Sequence, residues 1–267
     1  MLHADQRTTL ADRLEFARRE RRPTVLPRTE HPDLTLAEAY AVQADWAAAR
    51  IAGEGRRRIG YKIALTTRGQ RQAFGAEQPL YGVLLDDMAF EEAQPVPFDR
   101  FLAPRVEMEL AFGMRCRLEG PCSEAEAIAA IDWIAPAIEI LDSRTVTHDP
   151  QSGRPRSAID IVADAGGAAG FVVSDRRMRP GEIDLGRIGA VLRHNGEAED
   201  SGVFALVFEQ PERGLVWLAG ALAERGAAIE AGDIVLSGSV IKPYPVARSD
   251  RFAFDFGPCG KIDLTFA

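Results

Sequence analysis

Cysteine and histidine are scarce in this chain, and those present are scattered. The three cysteines, Cys116, Cys122 and Cys259, form no CxxC pair and leave an odd count. That argues against a zinc knuckle and a disulfide framework, and it fits a reducing compartment in which each is a small hydrophobe. The four histidines, His3, His31, His148 and His194, show neither HxH nor HExxH spacing, so surface roles are expected of them and a histidine-centred site is not. The P-loop and GxSxG patterns are missing, and Gly166, Gly167 and Gly170 do not compose a dinucleotide fingerprint. Nucleotide binding and serine hydrolysis thereby lose their usual support. No apolar run approaches the roughly 20 residues that would cross a bilayer. The start of the chain, Met1-Leu2-His3-Ala4-Asp5, becomes charged at once, so a soluble, non-exported, cytoplasmic protein is expected, without a membrane partner. Positive charge is also in deficit: the net charge is −8, and no run of Lys and Arg interleaves with aromatics. Nucleic acid is not an expected partner.

The chain does have enough apolar material, 46% of 267 residues, for one large core with a smaller helical annex. Leu10, Leu14, Phe16 and Ala17 give residues 5–21 an amphipathic helical pattern with a basic end. Thr35 and Glu38 have capping-box spacing for a second helix, which Gly53 and Gly55 terminate. Short β-like runs separated by Pro and Gly follow at 59–65, 81–85, 106–114, 137–141, 171–174 and 188–193. Asn195-Gly196 is a type I′ hairpin signal. Residues 212–225 read as a helix, with further strands at 233–236, 251–256 and 261–266. Many strands without a βαβ rhythm indicate an α+β fold with mixed or antiparallel sheets. The expected division is an N-terminal helical segment, 1–75, packed on a catalytic domain, 76–267.

Arg105-Val106-Glu107-Met108-Glu109-Leu110-Ala111-Phe112 alternates as a strand, which puts Glu107 and Glu109 on one face. At i and i+2 their Cα atoms lie about 7 Å apart, close enough for the carboxylates to converge on one hard cation. A solvated strand face is the other reading. Glu139 lies inside the apolar run 134–141, where an ionised group needs a partner. A metal shared with the first pair is one solution, and an ion pair with Arg105 or Arg144 is the other; spacing does not choose between them. Three carboxylates with open water positions suit Mg²⁺ or Mn²⁺ rather than zinc. Lys62 sits in the apolar run Gly60-Tyr61-Lys62-Ile63. It would hold a substrate carboxylate, take part in proton transfer, or snorkel to the surface. Asp86-Asp87 after residues 81–85 offers a general base or a turn cap, and Asp160 and Asp164 flank Ile161-Val162-Ala163 in similar fashion.

Together, Gly60-Tyr61-Lys62-Ile63, Gln78-Pro79-Leu80-Tyr81-Gly82, Leu85-Asp86-Asp87-Met88, Pro104 to Glu109, and Pro136-Ala137-Ile138-Glu139-Ile140-Leu141-Asp142-Ser143-Arg144 resemble the hydratase and decarboxylase branch of the fumarylacetoacetate hydrolase superfamily. The order and spacing match over nearly the whole chain. Asp149-Pro150 through Arg154-Pro155-Arg156, and Gly238-Ser239 to Pro245, resemble the 2-oxohept-4-ene-1,7-dioate hydratase group of aromatic catabolism. The resemblance implies an α+β fold with a mixed β-roll core and an N-terminal helical part, and a homo-oligomer built from dimers. It implies Mg²⁺ or Mn²⁺ on Glu107, Glu109 and Glu139, and a small 2-oxo acid substrate whose enolate the metal stabilises. Lys62 would face that substrate, with Asp87 or a water handling the proton. Ser239, Arg154 and Arg156 join the substrate-binding candidates, the two arginines for a distal carboxylate.

The chain departs from the family pattern in its acid/base shell. Leu80 stands where hydratases of this group typically carry Asp, and decarboxylase relatives tend to have an aliphatic residue there. Ala163-Asp164-Ala165 replaces an Ala-Asp-Asn segment, and Leu206 replaces a small residue. Hydration is the expected reaction, with decarboxylation of a 2-oxo-enedioate, or a weakly active partner subunit, as alternatives.

Overall fold

Thr35 starts the longest helix as its capping box requires. Its hydroxyl accepts from Glu38 N at 3.3 Å, while Glu38 Oε2 accepts from Thr35 N at 2.9 Å. This computed structural model describes residues 2–267. The N-terminal helices are α1 (Ala4–Glu20), α2 (Pro27–Glu30) and α3 (Leu36–Glu54). Gly55 closes α3 in the left-handed conformation, φ 67°. α1 lies against α3, where Trp46 Nε1 donates to Glu15 Oε2 at 3.1 Å, and Tyr40 and Gln43 of α3 are buried against Tyr81 and Val162.

The remaining elements are β1 (Arg58–Ala64), α4 (Arg68–Phe74), β2 (Leu80–Leu85), β3 (Ala89–Phe90), β4 (Arg105–Met114), α5 (Glu124–Ala129), β5 (Ile131–Leu141), α6 (Ala158–Ala163), β6 (Ala168–Val173), β7 (Gly189–His194), β8 (Glu197–Val203), α7 (Arg213–Ala223), β9 (Ile234–Leu236), β10 (Tyr244–Pro245), β11 (Arg251–Asp255) and β12 (Lys261–Thr265). An eight-stranded sheet runs β2-β1-β9-β4-β5-β6-β3, with β10 on β4. β1 and β9, and β3 and β6, pair in parallel, and the other pairs are antiparallel. A second, antiparallel sheet runs β12-β11-β7-β8. Its hairpin turns at Asn195 and Gly196, φ 50° and 98°, both positive as a type I′ turn demands. The mixed α+β core expected from the sequence is therefore present.

The helical annex is tied to the sheet at its edge. β2 is an end strand, and an open edge exposes unpaired backbone groups. Gln43 satisfies two of these groups and one of α6: Val83 N donates to its Oε1 at 2.9 Å, and its Nε2 donates to Tyr81 O at 3.3 Å and to Val162 O of α6 at 2.9 Å. Within residues 1–75, β1 is hydrogen-bonded into the large sheet and so belongs to its core layer.

One difference from the sequence reading has a clear cause. The strand expected at 137–141 begins at Ile131 and runs through Pro136, normally a strand breaker. β6 has ended by there, so the missing N–H costs no ladder bond on that side, and Pro136 O still accepts from Ser174 N at 2.9 Å. Ile161-Val162-Ala163 is helical, in α6, because Asp160 accepts from Ser157 N and Oγ at 2.9 and 2.8 Å and closes a cap. Among the described residues, no helix is long and apolar enough to cross a membrane.

Candidate metal and substrate site

Strand register brings the three glutamates together. On β4, Val106, Met108, Leu110 and Phe112 fill one face and are fully buried. Glu107 and Glu109 occupy the other. β5 pairs antiparallel with β4 so that Glu107 lies directly opposite Glu139, and directly opposed residues project from the same face. One carboxylate oxygen from each glutamate lies within 4.8 Å of the others. A cation about 2.0–2.6 Å from each of three oxygens keeps them within that spread.

Lys62 arrives from β1, two strands away: it pairs with Leu236 on β9, which pairs with Ala111 on β4. Its Nζ is 3.1 Å from Glu139 Oε1 and 3.3 Å from Oε2. Two glycines make room for it. A Cβ on Gly166, which also has φ 67°, would sit 2.7 Å from Lys62 Cε, and one on Gly82 would sit 3.3 Å from it. The cation beside Glu139 is Lys62, neither of the two arginines weighed for it. Arg144 is spent on Asp164, which accepts from its Nε and, at 2.9 Å, from its backbone N, while Arg144 lies over the Trp46 ring. Arg105 makes no ion pair among the described residues.

The cluster is short of positive charge. Glu109, Glu139 and Lys62 are at most 1% exposed and Glu107 is 7% exposed. Burial, then the charge of Glu139, pushes Glu107 up to about 8, with Lys62 opposing. Burial and the charges of Glu139 and Glu107 hold Glu109 well above the usual carboxylate range. Glu109 Oε2 accepts from Gly238 N at 2.8 Å, but its Oε1 is buried without a hydrogen-bond partner. An all-oxygen donor set with orphaned buried lone pairs fits a hard divalent cation, which would supply the missing charge.

Above this floor opens a cavity of about 740 Å³, lined by Lys62 and Glu107 and walled by Ile63, Leu65, Phe74, Leu141 and Ile161. Ser239 and Arg156 line it too, although the Ser239 hydroxyl turns back to donate to Ile241 O at 3.0 Å. Asp164 reaches the wall with its oxygens occupied by Arg144 and by Ser143 Oγ, the latter at 3.1 Å. Leu80 shares the Lys62 face of the sheet but is buried outside the cavity wall.

Two expected site residues lie elsewhere. Asp87, expected as a general base, leaves β2 in a 3₁₀ turn and lines a separate small cavity, where Arg50 and Arg100 donate to its Oδ2 at 2.6 and 2.8 Å. It anchors the helical annex and is corrected from catalytic to structural. Arg154, expected at a distal carboxylate, points to Asp160 at 3.3 Å and does not line the cavity. The Asp149 turn aims it at the α6 cap. Conversely, Lys242 and Arg105 line the cavity, and neither was among the substrate-binding candidates. Lys242 lies within 238–245, a stretch already singled out, whereas nothing in the spacing around Arg105 separates an ion-pair role from a ligand role.

No protein-family model matches the chain. It is 39% identical to the 2-oxo-hept-4-ene-1,7-dioate hydratase of Escherichia coli, over 97% of both chains. It is 31% identical to the 2-keto-4-pentenoate hydratase of Paraburkholderia xenovorans (strain LB400), over 98% of this chain and 95% of that one. Among solved structures, the 4-oxalocrotonate decarboxylase from Pseudomonas putida G7, complexed with magnesium and adipate, superposes with a TM-score of 0.93. It is 29% identical, and the match covers 100% of this chain and 99% of that one. A chain related over its full length to these lyases, and carrying the buried carboxylate triad on the mixed sheet, belongs to the family of hydratases and decarboxylases that they represent.

Proposed function

We propose that this chain is a divalent-cation-dependent hydro-lyase of aromatic-compound catabolism, adding water to a 2-hydroxydienoate or 2-oxo-enoate of the 2-oxohept-4-ene-1,7-dioate type. The observation that carries this reading is the buried triad of Glu107, Glu109 and Glu139, with Lys62 beside it, at the floor of a cavity large enough for a small acid. In this reading the three glutamates hold Mg²⁺, or Mn²⁺ with the same ligand preference. When bound, the cation supplies Lewis-acid stabilisation of negative charge on the 2-oxo oxygen.

The chain's own residues do the rest. Glu139 fixes Lys62 Nζ, and the remaining ammonium donors orient the substrate carboxylate and hold a proton at that end of the molecule. Ile63, Leu65, Leu141 and Ile161 pack the unsaturated chain and exclude bulk water from it. Glu107 and Asp164 are the acidic residues of the cavity lining, and Asp164 is occupied by Arg144. Lys62 is accordingly the proton-handling group of the proposal. The same reading carries a homo-oligomer built from dimers in the cytoplasm, the former testable by light scattering.

Decarboxylation is the second reading. It is favoured by Leu80, an apolar side chain on the Lys62 face of the sheet. Purified protein with Mg²⁺, given a 2-hydroxydienoate and a 2-oxo-enedioate and followed by ultraviolet absorbance and CO₂ release, separates the two. Hydration without CO₂ is the expected result. CO₂ release overturns it in favour of the decarboxylase, and turnover of neither leaves a weakly active subunit.

A further inference from the structure

Beyond Leu236 the chain runs on beside β4, but not in a regular ladder. Ser237 N donates to Leu110 O at 2.9 Å, as the pairing of Leu236 with Ala111 requires. The return bond is different: Leu110 N donates to the Ser237 hydroxyl at 2.9 Å, where a regular antiparallel pair would use the Ser237 carbonyl. Farther along, Ser239 N would donate to Met108 O in register, yet the donor is Val240 N, at 3.3 Å. An extra residue has entered the strand, which is a β-bulge, and bulges next to active sites re-aim the groups they carry. Here the re-aimed group is Gly238 N, which donates to Glu109 Oε2 at 2.8 Å.

The Ser237 hydroxyl braces both sides of this contact. It accepts from Leu110 N, the residue after Glu109, and it donates at 3.0 Å to Gly238 O, on the residue that grips Glu109. Ser237 is fully buried, so water does not compete for either bond. Gly238 has no room for a side chain: its φ is 97°, and a Cβ would sit 2.4 Å from Thr66 Cγ2. With Oε2 engaged, the buried and unpartnered Oε1 is the oxygen of Glu109 left free for a cation. That distinction matters between cations. Mg²⁺ demands near-ideal octahedral corners and keeps several waters, whereas the larger Ca²⁺ readily takes both oxygens of one carboxylate.

We propose that Ser237 is a positioning residue for the metal site. By fixing the Gly238 N–H on Glu109 Oε2 it presents Glu109 to the cation through Oε1 alone, and so biases the site towards a small octahedral cation and against Ca²⁺. The proposal rests on the reading of Glu107, Glu109 and Glu139 as metal ligands and adds what shapes one of them. Calorimetric titration of metal-stripped wild type, Ser237→Ala and Ser237→Thr with Mg²⁺ and with Ca²⁺ tests it without turnover. The ratio of Ca²⁺ to Mg²⁺ affinity is expected to rise about tenfold in Ser237→Ala and to stay near wild type in Ser237→Thr, which keeps the hydroxyl. A serine that only supports the fold would lower stability in urea and leave the ratio unchanged. That result overturns the proposal while the metal site stands. An equal rise in Ser237→Thr assigns the effect to packing and overturns it too, and if wild type binds neither cation the ligand reading falls with it. Should Ser237→Ala not fold, Ser237→Cys keeps the shape with a much weaker acceptor; its ratio is expected to rise in the same direction, and an unchanged ratio overturns the proposal.

Discussion

Replacing Glu107 by Gln is expected to stabilise the metal-free protein and to abolish its stabilisation by Mg²⁺. Glu107 is buried opposite Glu139, and burial together with that neighbour's charge pushes its carboxyl up to about 8 from the ordinary 4.5. For an acid, a folded-state pKa above the unfolded one works against folding as pH rises. Below 4.5 both states are protonated and nothing is lost; between 4.5 and about 8 the folded state must keep a proton that the unfolded chain has released, at about 1.4 kcal/mol per pH unit. At pH 7 that amounts to about 3 kcal/mol, most of which a neutral amide of similar shape removes. In wild type, Mg²⁺ at 100 times its Kd adds about 3 kcal/mol, and it removes the pH dependence by binding the deprotonated form.

Urea unfolding of metal-stripped protein at pH 5, 7 and 8.5, with chelator and with Mg²⁺, measures all of this. Without metal, wild type is expected to lose stability from pH 5 to 8.5, and Glu107→Gln is expected to be flatter and more stable at pH 7. If the two metal-free proteins have equal stability and equal pH slope, the electrostatic account of the triad is wrong. If Mg²⁺ stabilises Glu107→Gln as much as wild type, Glu107 is not a ligand.

Lys62→Met removes the ammonium 3.1 Å from Glu139 Oε1, and with it the repulsion that an entering cation meets. Mg²⁺ affinity by calorimetry is expected to rise while turnover falls by about 10²-fold or more; a fall in affinity would show that Lys62 positions the ligands rather than opposing the metal. Asp87→Asn breaks the contacts with Arg50 and Arg100 and is expected to cost about 3 kcal/mol in urea unfolding. Its turnover is expected to stay near wild type at a temperature where it is folded. Lost turnover with unchanged stability would restore Asp87 to the catalytic role that its sequence position suggested.

The contrast between Asp87 and the glutamates shows what a sequence can carry. Alternation along a single strand is local, because successive side chains point to opposite faces whatever else surrounds them. Glu107 and Glu109 could therefore be assigned to one face, and Thr35 with Glu38 to a helix start, from spacing alone. Long elements were legible for the same reason, whereas α4, α5 and α6 are each seven residues or fewer and too short to display a period. Pro136 hid the first half of β5, because a rule about donors holds only where a neighbouring strand needs the donor.

Partner choice across strands is a different kind of information. Glu139 had Arg144 five residues away and Arg105 on the neighbouring strand, yet its cation comes from Lys62, 77 positions earlier in the chain. That outcome depends on β9, a three-residue strand, sitting between β1 and β4, which no local pattern specifies. It also depends on Asp164 having taken Arg144, which in turn requires α6 to be a helix that ends at Asp164. The family resemblance supplied Glu139 as a candidate ligand because relatedness carries the whole set of pairings at once. Where the chain departs from that pattern, at Leu80 and Ala165, relatedness is silent and only the three-dimensional arrangement speaks. There the proposed proton-handling group is Lys62, whose ion-pair partner Glu139 lies outside the reach of any sequence period.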